Sequence, residues 1–166
     1  RLVRAKRTLS DARVPFELPE ADDLAERLAS VLGVIYLVFN EGYSATAGDD
    51  VIRPSLCDDA LRLGRLLARV DPNEPEVYAL LALMEFQSSR FASRIGPRGE
   101  AVPLMEQDRS KWDRAAIARG VECLARVQQL GGDLGLYALQ ASIAACHATA
   151  PTGAATDWGR IAALYD

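Results

Sequence analysis

The sequence predicts an all-α fold built from antiparallel helical hairpins. Apolar residues recur every three or four positions through most of the chain. No stretch sustains the strict alternation that a half-buried strand needs. Ala, Leu and Arg dominate and aromatic residues make up only 7%, a composition that favours helices. Ser, Asp, Asn, Pro and Gly stand where helices would begin and end. With 166 residues, 49% hydrophobic and 25% charged, the chain fits one globular body with a single core.

The start is basic. Residues 1–13 carry Arg1, Arg4, Lys6, Arg7 and Arg13 against Asp11, a net +4. The whole chain is −4, so −8 falls on the rest. The segment reads as the tail of a helix with a thin apolar stripe of Leu2, Ala5 and Leu9. Its cations suit phosphate contacts, whereas an acidic body is a poor nucleic-acid binder by itself. Residues 14–19 contain Pro15 and Pro19 and read as an extended linker. The next 147 residues, 20–166, read as one helical domain.

Residues 20–40 predict a helix with Leu24, Leu28, Val31 and Ile35 on one face. Val34, Leu37 and Val38 widen that face, so the second half is expected to be buried on several sides. Gly42 is placed for a left-handed C-cap. Asn40, Glu41 and Tyr43 then sit beside a buried segment, either bonding locally or facing a partner. Residues 45–53 form a loop without the ligand spacing of a calcium site. The 55–70 helix opens with Ser55 and Asp58 in a capping-box spacing and carries Leu56, Ala60, Leu63, Leu67 and Val70. Asn73 can cap a helix over 75–91 with Val77, Leu80, Leu81, Leu83 and Met84, which completes a hairpin. Gly96-Pro97-Arg98-Gly99 is a turn signal, and a small β-hairpin or an ordered loop is expected near 93–104.

The stretch 104–124 organises the rest. Ser110 and Asp113 have capping-box spacing, and a helix over 110–130 is expected, with Ile117, Val121 and Leu124 inward and Gly131 as C-cap. The stretch reads first as a helix N-terminus whose Trp112 packs in the core; compatibly, Asp108, Arg109 and Asp113 can form a charged cluster that holds neighbouring helices or a partner protein. Asp133 can cap a helix over 134–149, rich in Ala and therefore suited to close packing. Leu136, Leu139 and Ile143 would face one neighbour, and Tyr137, Gln140 and His147 another. Thr156 would cap a last helix carrying Trp158, Ile161, Ala162 and Tyr165. The helix pair from 110 to 149 has about the size of a tetratricopeptide-like repeat, so a TPR-like right-handed array is expected, without the full consensus.

Catalytic and ligand motifs are sparse. His147 is the only histidine, and Cys146 beside it points about 100° away on a helix, so a packing role is favoured over a nucleophilic pair. Gly131 to Gly135 lacks the strand and spacing of a phosphate loop. Asp22-Asp23 and Asp58-Asp59 diverge on helices as solvated charges. Cys57, Cys123 and Cys146 lack metal-ligand spacing, and their odd number suggests reduced thiols in a cytoplasm. No apolar run reaches the roughly 20 residues of a membrane span, and no signal peptide is read. No catalytic residue, cofactor or metal is expected.

Taken together, several stretches resemble the C-terminal part of sigma factors of the extracytoplasmic-function (ECF) subfamily that carry a TPR-like extension. They are Arg1 to Arg7 with Arg13-Val14-Pro15-Phe16, Tyr36 to Tyr43, Asp108-Arg109-Ser110-Lys111-Trp112-Asp113, Leu139 to Ala148, and Thr156 to Tyr165. The resemblance implies that residues 1–13 end the region-4 recognition helix, leaving Arg1, Arg4, Lys6 and Arg7 near DNA. It implies a cytoplasmic, bacterial, regulatory extension, with RNA polymerase core and promoter DNA engaged by domains upstream. A regulatory protein, or the sigma regions themselves, would contact the extension. A free-standing helical-repeat adaptor is the alternative reading; a small hydrolase using His147 and a nearby acid is a third.

Overall fold

The computed structural model describes residues 4, 7–8, 11–12, 21–44, 52–131 and 135–165, with backbone only for 21–26. Among these residues the fold is all-α: seven helices, three short 3₁₀ turns and no strand. The helices are α1 (Ala21–Tyr43), α2 (Pro54–Val70), α3 (Pro75–Ser88), α4 (Phe91–Arg94), α5 (Arg114–Leu130), α6 (Leu136–Thr149) and α7 (Trp158–Ala163). The chain divides into two units, Arg1–Val31 and Leu32–Asp166. In the first, Arg4, Arg7, Thr8 and Asp11 are helical; Arg1, Lys6 and the 14–19 linker lie outside the described residues.

The second unit is built around α3. Every residue from Ala79 to Phe86 is buried, because α2, α5 and α6 all pack on this helix. An all-round apolar helix is stable only in such a position. One core cluster joins Ala82, Leu83 and Phe86 to Trp112, Ile117, Ala141 and Ala148. A second joins Ala79, Val127 and Ala138. The small residues of α6 provide the close approach expected of them. On α5, Gly120 lets the Phe86 ring in; an added Cβ would lie 2.6 Å from its Cε1.

Several helix boundaries differ from the sequence expectation. Ser55 makes no cap: α2 begins at Pro54 after Arg53, with no side-chain cap bond, because proline at the first position already fixes φ. Glu74, not Asn73, caps α3 by accepting from Glu76 N at 3.1 Å. α3 ends at Ser88, and the short α4 follows after a turn. Asp157, not Thr156, caps α7, accepting from Arg160 N at 2.9 Å; Thr156 is buried. Gly131 is the left-handed C-cap of α5, at φ 68°. Gly42 is not a cap but lies inside α1, where a Cβ would strike Cys57 Sγ at 2.7 Å. Asp133 lies outside the described residues. N-terminal support for α6 comes instead from Glu76, whose carboxylate accepts from Tyr137 N at 3.3 Å.

Burial also departs from the apolar pattern. Val34 and Leu37 of α1 are 60% and 68% exposed, so its second half is not enclosed. α2 buries Cys57, Ala60, Leu61 and Gly64 and leaves Leu63 and Val70 outside. Leu136, Trp158 and Tyr165 are likewise exposed, and Ile161 alone anchors α7 among its apolar positions. The expected β-hairpin reduces to one antiparallel bridge, Ile95 with Ala101, closed by Gly99 at φ 83°.

Candidate functional site

Residues 104–113 tie the helices together. Two consecutive Asp caps, not one capping box, shape this segment. Asp108 accepts from Ser110 N at 3.0 Å and Ser110 Oγ at 2.6 Å, which sets the 3₁₀ turn Arg109–Lys111. Those bonds hold the Asp108 carboxyl below its ordinary pKa. Asp113 accepts from Ala115 N and Ala116 N at 2.8 and 3.0 Å and starts α5. The expected Ser110–Asp113 box is therefore absent, and the helix begins four residues later than predicted. The hydroxyl of Ser110 is spent on Asp108, leaving Asp113 to meet the orphan N–H groups of α5.

Between these caps the 3₁₀ turn sends two side chains inward. Positions i and i+3 of such a turn share a face, and Arg109 and Trp112 are both buried. The guanidinium lies 4.5 Å from the Trp112 ring centroid. Arg109 Nη1 donates to His147 O and, at 3.0 Å, to Ala150 O. These carbonyls stand at the C-terminal end of α6, where acceptors lack intrahelical partners and a cation is favoured. Trp112 Nε1 donates to Ser93 Oγ at 2.8 Å, and Asp113 N donates to Ser89 O at 2.8 Å. Arg109, Trp112 and Asp113 thus reach the ends of α6 and α3, the short α4 and the start of α5. Asp108 is exposed, with Lys111 Nζ 3.9 Å away, and shapes the turn without crossing to a neighbour.

The other expected residues make smaller, separate contacts. Tyr43 stacks on Phe39 and meets Phe91, each with centroids 5.9 Å apart. Arg94 lies 3.5 Å above its ring, and Arg90 Nη2 donates to its hydroxyl at 2.6 Å. Glu41 pairs with Arg53 at 3.2 Å, and partly buried Asn40 accepts from Ser44 N through its carbonyl at 2.8 Å. Tyr137 meets Tyr36 edge-on at 5.4 Å, and Tyr36 donates to Gln140 Oε1 at 3.2 Å. His147 lies edge-on to Trp158 at 5.3 Å. Burial first, then Arg109 and Arg90, push its imidazole below the usual pKa. Cationic neighbours are the reverse of the carboxylate that would orient a hydrolytic histidine. Arg4 and Arg7 are exposed, with Arg7 3.8 Å from Asp11.

Glu85 escaped the sequence reading. Only 2% exposed, it accepts from Arg65 Nη2 on α2 and from Arg119 Nε and Nη2 on α5, the latter at 3.1 and 2.9 Å. One carboxylate on α3 therefore joins three helices. The available signal was a single acid inside the apolar run Leu83-Met84-Glu85-Phe86. Burial keeps the thiols protonated, with Cys57 pushed up to about 12 and Cys123 to about 11. Among the described residues no group of three His, Cys, Asp or Glu side chains could hold a metal, and no helix is long and apolar enough to cross a membrane.

The fold and this junction define an all-helical domain organised by buried polar clamps. Residues 27–128 match the family of unknown function DUF6596, and the chain belongs to that family. It is also 46% identical, over 165 residues, to the uncharacterized protein R00370 of Rhizobium meliloti strain 1021. That match covers 99% of this chain but 39% of the relative's length. No solved structure matches.

Proposed function

We propose that this chain is the regulatory, protein-interaction part of an ECF-subfamily sigma factor, and that it modulates promoter-directed transcription by RNA polymerase. The observation that carries the reading is the ordered set of stretches spread along the chain, from the basic 1–7 segment through Asp108–Asp113 to 156–165. The central stretch of that set is also where Arg109, Trp112 and Asp113 make their cross-helix bonds. A relative more than twice as long leaves room for polymerase- and promoter-binding domains. In this reading the domain is cytoplasmic and acts through contacts, not catalysis.

The test is run-off transcription with core RNA polymerase and the longer protein to which this chain corresponds. Promoter-dependent transcripts that fall when residues 20–166 are removed are the expected result. A longer protein that neither binds core polymerase nor starts transcripts would overturn the proposal. Exposed Val34 and Leu37 favour a second reading, a helical-repeat adaptor that docks partners on α1. That reading predicts partner binding with no dependence on polymerase.

A further inference from the structure

The last helix, α7, is lightly held. Ile161 is its one buried residue, and Gly159, Arg160, Ala162 and Ala163 are exposed. Thr156 is buried just before it. The aromatic contact that joins α7 to α6 is ring on ring. Half-exposed Trp158 meets the His147 imidazole edge-on, with centroids 5.3 Å apart. Segments with few buried apolar contacts open at the lowest free energy.

The seat of His147 suits a neutral ring. Its Nδ1 is buried and has no hydrogen-bond partner among the described residues. With the proton on Nε2, Nδ1 carries only a lone pair; in the imidazolium it becomes an N–H with no acceptor. The nearest charges have the same sign as that imidazolium. Arg109 of the 104–113 segment and Arg90 of the turn before α4 both act on the ring, and with burial they depress its pKa. A helix C-terminus ordinarily favours a cation. Here Arg109 already donates to the His147 and Ala150 carbonyls, so that end is met by a guanidinium. Arg94 stacks on Tyr43. From the side of α7, Asp157 and Arg160 act on Cys146 with opposite signs. The other titratable groups of α6, Tyr137 and Cys146, have raised pKa values and are neutral.

We propose that His147 is an acid-released latch for α7: protonation turns the imidazole out of its seat and frees the last helix from α6, while the core around α3 holds. The open form leaves His147 in water, where it takes up a proton near pH 6.5. The closed form binds that proton less tightly. Closure is therefore complete above about pH 6.5 and weakens as pH falls below it. The open population rises by at most about tenfold for each pH unit until the closed form titrates as well. The proposal is independent of any role in transcription.

Amide hydrogen exchange of the intact chain between pH 7 and pH 5, corrected for the intrinsic pH dependence of exchange, tests it. The amides of Ile161 and Leu164, which donate to Asp157 O and Arg160 O, report α7. Those of residues 79–86 report the core. A rise of about threefold or more in opening of α7, with the core unchanged, is the expected result. His147→Phe keeps an aromatic edge against Trp158 and cannot take up a proton, so its α7 should open equally at both pH values. Asp157→Asn removes the carboxylate that caps α7 and should leave the rise in place. A flat response in the unmodified chain, the same rise in His147→Phe, or its loss in Asp157→Asn would overturn the proposal. So would opening of α7 only together with the core.

Discussion

Arg109 and Trp112 act as a pair: the cation covers the ring, and each bonds a different helix end. Removing the indole leaves a large cavity, so Trp112→Ala should cost about 3–5 kcal/mol. Asp108 is exposed and closes only a 3₁₀ turn, so Asp108→Ala should cost far less than Trp112→Ala. Urea unfolding of the two variants checks the contrast; equal losses would contradict it. His147 gives a pH dependence of known sign. Its folded pKa is depressed, so the unfolded chain binds the proton more tightly. Its contribution is complete above the unfolded value of about 6.5 and is lost as pH falls through and below it. His147→Gln should therefore flatten the melting temperature between about pH 7 and pH 5. A slope unchanged by that substitution would show that other groups set it.

At the scale of elements, Glu85 tests how the helices are joined. Arg65 and Arg119 are each about half exposed. With either arginine absent, the other still neutralises the carboxylate. Arg65→Ala and Arg119→Ala alone should each cost about 1 kcal/mol. Together they leave a buried charge unpaired and should cost about 3–5 kcal/mol, more than the two added. A double-mutant cycle with no coupling would contradict the joint. Much at this scale was legible: helix existence and the Gly131 stop follow from period and turn chemistry. Boundaries were less legible, because spacing identifies residues able to cap but not where φ and ψ turn helical. Ser110 and Asp113 had the spacing of a capping box, and only the fold assigns the Ser110 hydroxyl to Asp108 and the cap to Asp113. Gly42 looked like a stop because its sequence does not reveal that Cys57 crosses there. Apolar stripes on α1 and α2 showed a face but not how many neighbours would cover it. Glu85 was missed because a search for apolar periodicity passes over a lone acid whose partners lie on other helices.

For the whole molecule, charge separates the first residues from the rest: +4 on residues 1–13 and −8 beyond them. The chain by itself should bind duplex DNA only weakly at physiological salt. Sub-micromolar, sequence-specific binding in a gel-shift titration would contradict the assignment of promoter reading to other domains. Under the proposed function, the 104–113 junction holds the helical body in the form that transcription would require. Promoter-dependent transcription by core RNA polymerase, measured with the longer protein carrying Trp112→Ala or Asp108→Ala, tests this most directly. The account predicts a loss of tenfold or more for Trp112→Ala, with little change for Asp108→Ala. A Trp112→Ala protein that melts at a lower temperature yet transcribes at the full rate would contradict it.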